Sequence, residues 1–416
     1  MEKRLAILGG EPVRGDKPWP AWPVFDESDA SAVADAVRSG AWWRVEGTRV
    51  AGFERALADY CGAEYCLAVN SGTVALELAI QAAGVQPGDE IIVPPYTFMA
   101  TASAVVRSNC VPVFADIDPD TYNLSAESAE AAVSDRTRGL IPVHLGGQPV
   151  DMDAFYRLAE LEKLWIIEDA AHAHGAEWRG RRCGSLGHAG CLSFQASKNL
   201  TCGEGGAVLT SSEALYKTAF SLHHCGRGEE GPWYGHIRTG TNARMTELEA
   251  ALLLSQLPRL EEQSALRDRN GRYLNDALGA IDGIEPLRRD VGETRHGYHL
   301  YIFRFRPAEP YGVSRDLFCR AVSAEGVPCS GGYAEPLYRQ PMFELMDFGP
   351  YDGWRRRRPD LSYADVHCPN CEAACAEAVW LSQSMLLGDE GDMDDVVRAV
   401  AKVMGNLGQL RGADIE

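Results

Sequence analysis

The chain between about residues 50 and 255 alternates between segments with helical periodicity and short, continuously apolar segments. The apolar segments are 64–70, 90–96, 111–118, 139–147, 164–171 and 191–197. Strands that are apolar on both faces are typical of a mainly parallel sheet covered by helices on both sides. This pattern predicts an α/β domain, and in such domains the functional residues lie at the carboxyl ends of the strands.

The N-terminal segment has a different pattern. Prolines at positions 18, 20 and 23 exclude a helix there, because proline lacks the backbone N–H that a helix uses. We therefore predict that residues 1–25 form an arm that lies over a surface of the protein. A helix is expected to follow, beginning near Asp26 or Ser28 and ending at Gly40, where helix-starting and helix-ending residues stand.

The pattern changes again after the alternating region. Residues 246–279 are strongly helical, residues 299–307 have the polar–apolar alternation of a strand, and a further helix is expected around 390–409. We predict a large domain over residues 26–256 and a smaller α+β domain over residues 257–416.

Composition restricts the class of partner. The chain has 416 residues, 45% of them hydrophobic, and a formal net charge of −19. This charge argues against nucleic acid as a partner, because neutralising phosphates requires a basic surface. The 12 cysteines are scattered, the start shows no signal-peptide pattern, and no apolar run approaches the ~20 residues of a membrane span. We expect a cytoplasmic protein with reduced thiols.

Three predicted strand ends carry polar residues of distinct chemistry. Ser71, Gly72 and Thr73 form a strand-to-helix turn, which is either an anion site or an ordinary helix cap. Asp169 ends an apolar segment, where a carboxylate requires a cation, a cap or a salt bridge. Lys198 precedes a glycine-rich turn; alone, it is more often a surface side chain than a nucleophile.

These three features together predict a cofactor site. Pyridoxal 5′-phosphate (PLP) requires an anion cradle for its phosphate, a carboxylate beside its pyridine nitrogen and a lysine for its aldehyde. No other common cofactor requires all three. The sequence therefore predicts PLP chemistry with Lys198 and Asp169 as catalytic residues.

The chain resembles the DegT/DnrJ/StrS-type sugar and cyclitol aminotransferases in motifs along nearly its whole length. The motifs are LAILGGEPVR (5–14), NSGTVAL (70–76), VPPYTFMATASAV (93–105), FADIDPDTYN (114–123), PVHLGG (142–147), EDAAHAHGA (168–176), SFQASKNLTCGEGGAV (193–208), GTNARMTELEAAL (240–252) and GYAEPLYRQPMF (332–343). The resemblance implies the PLP fold type I, with a seven-stranded-type sheet in a PLP-binding large domain. It also implies a homodimer with shared active sites.

The resemblance assigns roles by position. Lys198 would bind the cofactor covalently and transfer protons, Asp169 would pair with the pyridinium nitrogen, and Phe98 would stack on the ring. Ser71, Gly72, Thr73 and Ser193 would hold the phosphate, and Asn242 would reach the phosphate in the neighbouring subunit. A lysine at position 198 favours amino transfer, since relatives with histidine there catalyse dehydration.

Four further residues are candidates for the site, and three of them have an alternative role in the core. His172 is either a catalytic residue beside the cofactor's phenolic oxygen or a hydrogen-bonded core histidine. Arg227 is a candidate for the carboxylate of the amino donor, because arginine binds carboxylates with two hydrogen bonds. Tyr333 and Tyr338 either line the substrate pocket or are core aromatic residues.

The predicted reaction is transfer of an amino group from L-glutamine or L-glutamate to a keto-cyclitol or keto-sugar, in aminoglycoside-type or other secondary metabolism. The alternatives are a PLP-dependent ring aromatase of the aminohydroxybenzoate-synthase type, a nucleotide-linked keto-sugar aminotransferase, and a PLP-binding regulatory subunit. The sequence identifies neither the ketone nor the donor, because substrate-contacting residues lie on loops.

A cysteine cluster near residue 370 has the spacing of a metal site. His367, Cys368, Cys371 and Cys375 could hold zinc, but this segment runs into a predicted helix. Buried cysteine commonly acts as a small apolar residue, so we favour structural thiols and predict no metal.

Overall fold

The fold is described from a computed structural model, over residues 4–232, 234–307, 312–356, 359 and 361–411. The helices are α1 (Glu27–Ser39), α2 (Arg49–Cys61), α3 (Gly72–Ala82), α4 (Ala100–Arg107), α5 (Ala126–Ala131), α6 (Met152–Glu162), α7 (Glu213–His223), α8 (Glu247–Gln256), α9 (Leu260–Gly279), α10 (Arg315–Ala324), α11 (Pro341–Glu344), α12 (Pro369–Glu377) and α13 (Glu390–Met404). The strands are β1 (Tyr65–Val69), β2 (Glu90–Val93), β3 (Val111–Phe114), β4 (Thr137–Leu140), β5 (Trp165–Asp169), β6 (Glu177–Trp178), β7 (Arg181–Arg182), β8 (Ala189–Ser193), β9 (Gly206–Thr210), β10 (Ile284–Pro286), β11 (Glu293–Arg295), β12 (Leu300–Phe305) and β13 (Ala378–Ser382).

A seven-stranded sheet forms the centre of the molecule, in the order β1-β9-β8-β5-β4-β2-β3. Strand β9 runs antiparallel to both of its neighbours, and the remaining strands are parallel to one another. The six predicted apolar segments supply the parallel strands. The α/β fold with a mainly parallel sheet is therefore confirmed.

Burial on both faces explains why these strands are continuously apolar. In β2, Ile91 and Val93 belong to the hydrophobic core on one face of the sheet, whereas Ile92 belongs to the core on the other. Because successive side chains point to opposite faces, a strand buried on both sides has no polar alternation.

A smaller antiparallel sheet, in the order β10-β12-β13, packs with α9, α10 and α13 around a third core. Phe303, Phe318 and Val396 lie in this core, and so does Leu5 from the N-terminal end of the chain. The segment that contains Phe343 instead contributes to the core of the large sheet. The boundary at 256/257 remains a prediction.

The N-terminal arm lies against this smaller sheet region and continues towards the large sheet. Arg14 donates hydrogen bonds to the carboxylates of Asp392 (2.7 Å) and Asp395 (2.9 Å) on α13. Helix α1 then begins after Asp26, whose side chain accepts the Ser28 N–H, and ends at Gly40 in the left-handed conformation. None of the described helices combines the length and hydrophobicity that crossing a membrane requires.

Candidate active site

A cavity of about 520 Å³ opens at the carboxyl ends of the parallel strands. Its volume is that of a typical cofactor or substrate pocket. The predicted site residues that line it are Ser71, Gly72, Thr73, Phe98, Asp169, His172, Ser193, Lys198 and Tyr333. The topology thus brings together residues that are far apart in the sequence.

Lys198 lies on a tight loop that follows β8. Its backbone N–H donates to the Gln195 carbonyl at 2.8 Å, and Trp22 of the N-terminal arm donates its indole N–H to Ala196 at 2.9 Å. Burial lowers the pKa of the Lys198 ammonium to about 8, although the nearby Asp169 carboxylate opposes this shift. A substantial fraction of Lys198 is therefore a neutral, nucleophilic amine near pH 8.

Asp169 is the last residue of β5, and its carboxylate is buried. Thr101 on α4 donates a 2.7 Å hydrogen bond to Oδ2, and the Ala171 N–H donates a 3.2 Å bond to Oδ1. Burial raises the pKa of Asp169, whereas these hydrogen bonds and Lys198 favour its ionised form. A cationic ring nitrogen in the cavity would complete the environment of this carboxylate.

The turn before α3 has the close packing of an anion cradle. Ser71 caps the helix by accepting the Val74 N–H at 3.2 Å. A Cβ on Gly72 would lie 2.7 Å from the Cβ of Ser193, and one on Gly206 would lie 2.4 Å from the backbone of Ser71. The N-terminus of α3 can therefore contact Ser193 closely, and Gly72 and Thr73 in its first turn line the cavity. A helix N-terminus in this position can bind a phosphate.

His172 is held in one tautomer. The Gly146 N–H donates to its Nδ1 at 3.3 Å, so the proton of the neutral ring is on Nε2. Burial lowers the pKa of His172, with Lys198, His299 and His174 adding to this effect. His172 therefore lines the cavity as a neutral hydrogen-bond donor.

Aromatic residues form two walls of the cavity. Phe98 lines it with 61% of its surface exposed, which leaves a ring face available to a flat ligand. Tyr333 also lines the cavity, with its ring 4.9 Å from that of Trp380. Both positions suit a site that holds an aromatic cofactor next to a second small molecule.

Three predicted site residues do not line this cavity in the single chain. Asn242 and Arg227 lie on the segment after α7, where His224 pairs with Asn242 and Arg227 with His236 in isolated bridges. Tyr338 is buried instead against Phe114, and its hydroxyl donates to Glu372 at 2.8 Å. In the single chain this packing fits the second reading of Tyr338, a core aromatic residue.

Several residues in or beside the cavity were not predicted. Thr101 contacts Asp169 without lining the cavity, and it was missed because a threonine on a helix gives no sign of the carboxylate that it faces. His299, Glu204 and Trp380 border the cavity itself and were missed as well. The position of Glu204 at the cavity could have been predicted from the sequence, since it lies in the GEGG turn that follows Lys198.

The cysteine-rich segment forms part of α12 and its N-terminal cap. Cys368, Cys371 and Cys375 are buried, whereas the exposed His367 pairs with Glu372 at 3.0 Å. Among the described residues, the group that brings three ligand-type atoms together lies elsewhere and contains His144, Glu168 and Cys183. No metal remains our prediction for the thiols of α12.

The group around Glu168 is saturated by hydrogen bonds. The backbone N–H groups of Gly184, Leu186 and Gly187 donate to its two oxygens at 2.6–2.7 Å, and His144 approaches at 2.8 Å. His144 is itself fixed, because its Nδ1 accepts the Val150 N–H at 3.0 Å. This arrangement is that of a structural anchor for the end of β5.

Comparison with known proteins identifies the class of enzyme. Residues 23–401 match the model of the DegT/DnrJ/EryC1/StrS aminotransferase family, and the chain belongs to this family. It is therefore an aminotransferase of the α/β architecture shared by the PLP enzymes of fold type I.

Individual relatives cover almost the whole chain. A protein of Streptoalloteichus tenebrarius, provisionally named L-glutamine:3-amino-2,3-dideoxy-scyllo-inosose aminotransferase, is 40% identical over 99% of this chain and 100% of its own length. The 3-amino-5-hydroxybenzoate synthase of Amycolatopsis mediterranei is 39% identical over 92% of this chain and 96% of its own. A crystal structure of 3-amino-5-hydroxybenzoic acid synthase superimposes with a TM-score of 0.84 at 37% identity, covering 95% of this chain and 99% of that one.

Proposed function

We propose that this protein binds PLP in the cavity and transfers an amino group from L-glutamine or L-glutamate to a keto-cyclitol. The observation that carries the proposal is the convergence of Lys198, the buried Asp169 and the Gly72 turn on one cavity. When bound, PLP supplies an electron-withdrawing ring that stabilises negative charge at the carbon bearing the donor's amino group.

The residues present fit this cofactor. Asp169 presents a buried carboxylate for a cationic ring nitrogen, and Phe98 offers an exposed aromatic face for the ring plane. The Gly72 turn supplies backbone donors beside Ser193 for the phosphate. His172 offers its Nε2–H to an oxygen on the ring, because its Nδ1 is already occupied by Gly146.

Lys198 performs the proton transfer. Since burial lowers its pKa to about 8, its amine accepts a proton from the donor's α-carbon and returns a proton to the product. Asp169 stays ionised to stabilise the positive charge on the ring nitrogen.

The charges around the cavity favour an uncharged ketone. Among the described lining residues, the side chains with formal charge are Lys198, Asp169 and Glu204, and no arginine is present. A nucleotide-linked sugar brings a diphosphate and a shikimate-type ring brings a carboxylate, so each would need a cation from outside this wall. The carboxylate of the amino donor has the same need, and Arg227 is the candidate for that one group. A keto-cyclitol has neither group.

A ring aromatase of the 3-amino-5-hydroxybenzoate synthase type is the second candidate, because a protein of that name is 39% identical to this chain. The two functions are separated by supplying PLP, L-glutamine or L-glutamate, and one of three ketones: scyllo-inosose, a nucleotide-linked keto-sugar or an aminodehydroshikimate. Formation of an aminocyclitol and a 2-oxo acid supports the proposal. An aminobenzoate product or activity restricted to nucleotide-linked sugars contradicts it.

We further propose a cytoplasmic homodimer in which Asn242 of each subunit reaches the phosphate of the other. The position of Asn242 outside the cavity of its own chain supports this arrangement. Arg227, on the same segment, is the candidate for the donor's carboxylate. Complementation tests the arrangement: mixing inactive Lys198→Ala and Asn242→Ala proteins regenerates one intact site per heterodimer, whereas separate sites give no recovery.

A further inference from the structure

The cavity contains a histidine to which the reaction described above gives no role. His299 immediately precedes β12, lines the cavity and is buried. Its ring lies 4.3 Å from that of His172. The cradle residues and Asp169 belong to the large-sheet region, whereas His299, Leu300 and Trp380 line the same cavity from the smaller sheet and the residue before it. His299 therefore belongs to the part of the lining that the cofactor-holding residues do not supply.

Hydrogen bonding fixes the tautomer of His299. The Asn199 side chain donates from Nδ2 to the Gly297 carbonyl at 2.7 Å, which directs its Oδ1 towards His299 Nδ1 at 3.4 Å. An amide oxygen only accepts, so Nδ1 of His299 carries the ring proton and Nε2 carries a lone pair. The two neighbouring rings therefore differ at Nε2: His172 carries a proton there and can donate a hydrogen bond, whereas His299 can accept one.

The surroundings of His299 keep it neutral. Burial lowers its pKa, and the positive charges of Lys198 and Arg267, together with His174, add to this effect. Arg267 is itself fully buried and is held by the Gln383 side chain at 2.6 Å. A neutral ring with a free lone pair accepts a hydrogen bond and donates none at that nitrogen.

We propose that His299 Nε2 accepts a hydrogen bond from one ring hydroxyl of the ketone substrate and thereby determines specificity for polyols. This inference rests on the proposed function, because it assumes that the second substrate is a hydroxylated ketone. The side chain of Leu300 beside it is apolar and offers no hydrogen-bond acceptor. A site built to pair with a hydroxyl rejects an analogue that lacks it, because the buried acceptor is then left unpaired.

The experiment changes the enzyme and the substrate together, so that the effect of losing His299 is compared with the effect of losing each substrate hydroxyl. The holoenzyme and its His299→Phe variant are assayed with scyllo-inosose and with each mono-deoxy analogue. In the wild type, removal of one particular hydroxyl should lower kcat/KM by roughly 5- to 150-fold. In the variant that same analogue should equal the parent ketone, while the remaining analogues keep their wild-type ratios.

Two further variants make the result decisive. His299→Gln keeps a side-chain oxygen acceptor and should retain much of the discrimination. His296→Phe is the matched control, because His296 is also buried but stacks on Tyr298 at 3.6 Å and does not line the cavity. It should leave every ketone ratio at its wild-type value.

Formation of the 2-oxo acid from L-glutamine, or failing that from L-glutamate, without any ketone tests the proposed function separately. If it fails in the wild type, the proposed function is wrong. If it succeeds but the wild type and His299→Phe discriminate equally among the ketones, the role of His299 is wrong. Loss of discrimination in His296→Phe as well would also overturn it, because the effect would then be structural.

Discussion

The hydrogen bond from Thr101 to Asp169 gives a quantitative prediction. Thr101 is fully buried, and Thr101→Val removes the hydroxyl with little change in shape. A hydrogen bond to a charged group contributes about 1.5–3 kcal/mol. Since one pKa unit corresponds to about 1.36 kcal/mol, the pKa of Asp169 should rise by roughly one to two units.

The direction of the effect follows from the charge that is stabilised. Thr101 stabilises the ionised carboxylate, so its loss favours the protonated form and moves the acid limb of the kcat/KM profile to higher pH. The assay is the pH profile of 2-oxo acid formation from L-glutamine, with circular dichroism to verify folding. Thr97→Val is the control, because the Thr97 hydroxyl lies 3.2 Å from that of Thr101 and has no hydrogen bond to Asp169. An acid limb in Thr101→Val that coincides with that of the wild type would refute the reasoning.

Three more predictions concern the lysine and the cradle. Lys198→Ala should reduce turnover by at least about 10²–10⁴-fold and should prevent reductive attachment of PLP by borohydride. Turnover near the wild-type rate would disprove the role of Lys198. In the protein without PLP, the rate of acylation of Lys198 should rise with a midpoint near pH 8, because burial lowers the pKa of its ammonium. Lys217 is the control, because it is exposed and Glu213 raises its pKa. The same midpoint for both lysines would contradict this prediction. Gly72→Ala should weaken PLP binding by roughly 5- to 150-fold, because overpacking costs about 1–3 kcal/mol. Gly52→Ala is the control, because a Cβ there makes only an ordinary 3.7 Å contact. Equal PLP dissociation constants for Gly72→Ala and the wild type would exclude the cradle.

The central sheet was predictable because burial on both faces imposes continuous hydrophobicity on each strand. Strand β9 was not predicted, since none of the six apolar segments covers Gly206–Thr210, and an apolar pattern is the same for either strand direction. Lys198 and Asp169 were predictable because each follows a strand within a recognisable motif. Tyr338 was not, because an aromatic residue near a motif can complete a core as readily as a pocket.

The remaining part of the site depends on contacts between distant segments. His299 meets Asn199 across 100 residues of sequence, and Thr101 meets Asp169 across 68. The sequence around each histidine or threonine contains no information about the partner that fixes its proton. The acceptor character of His299 therefore emerges only when the smaller sheet closes the cavity.

Amino transfer is measured most directly by following the nitrogen atom itself. The protein is incubated with PLP, scyllo-inosose and L-glutamine labelled with ¹⁵N at the α-amino group, and the ring product is analysed by mass spectrometry. We expect an aminocyclitol that carries the label, formed in equal amount with the 2-oxo acid, and neither product with Lys198→Ala. A 2-oxo acid without labelled aminocyclitol, or labelled aminocyclitol from Lys198→Ala at the wild-type rate, would contradict it.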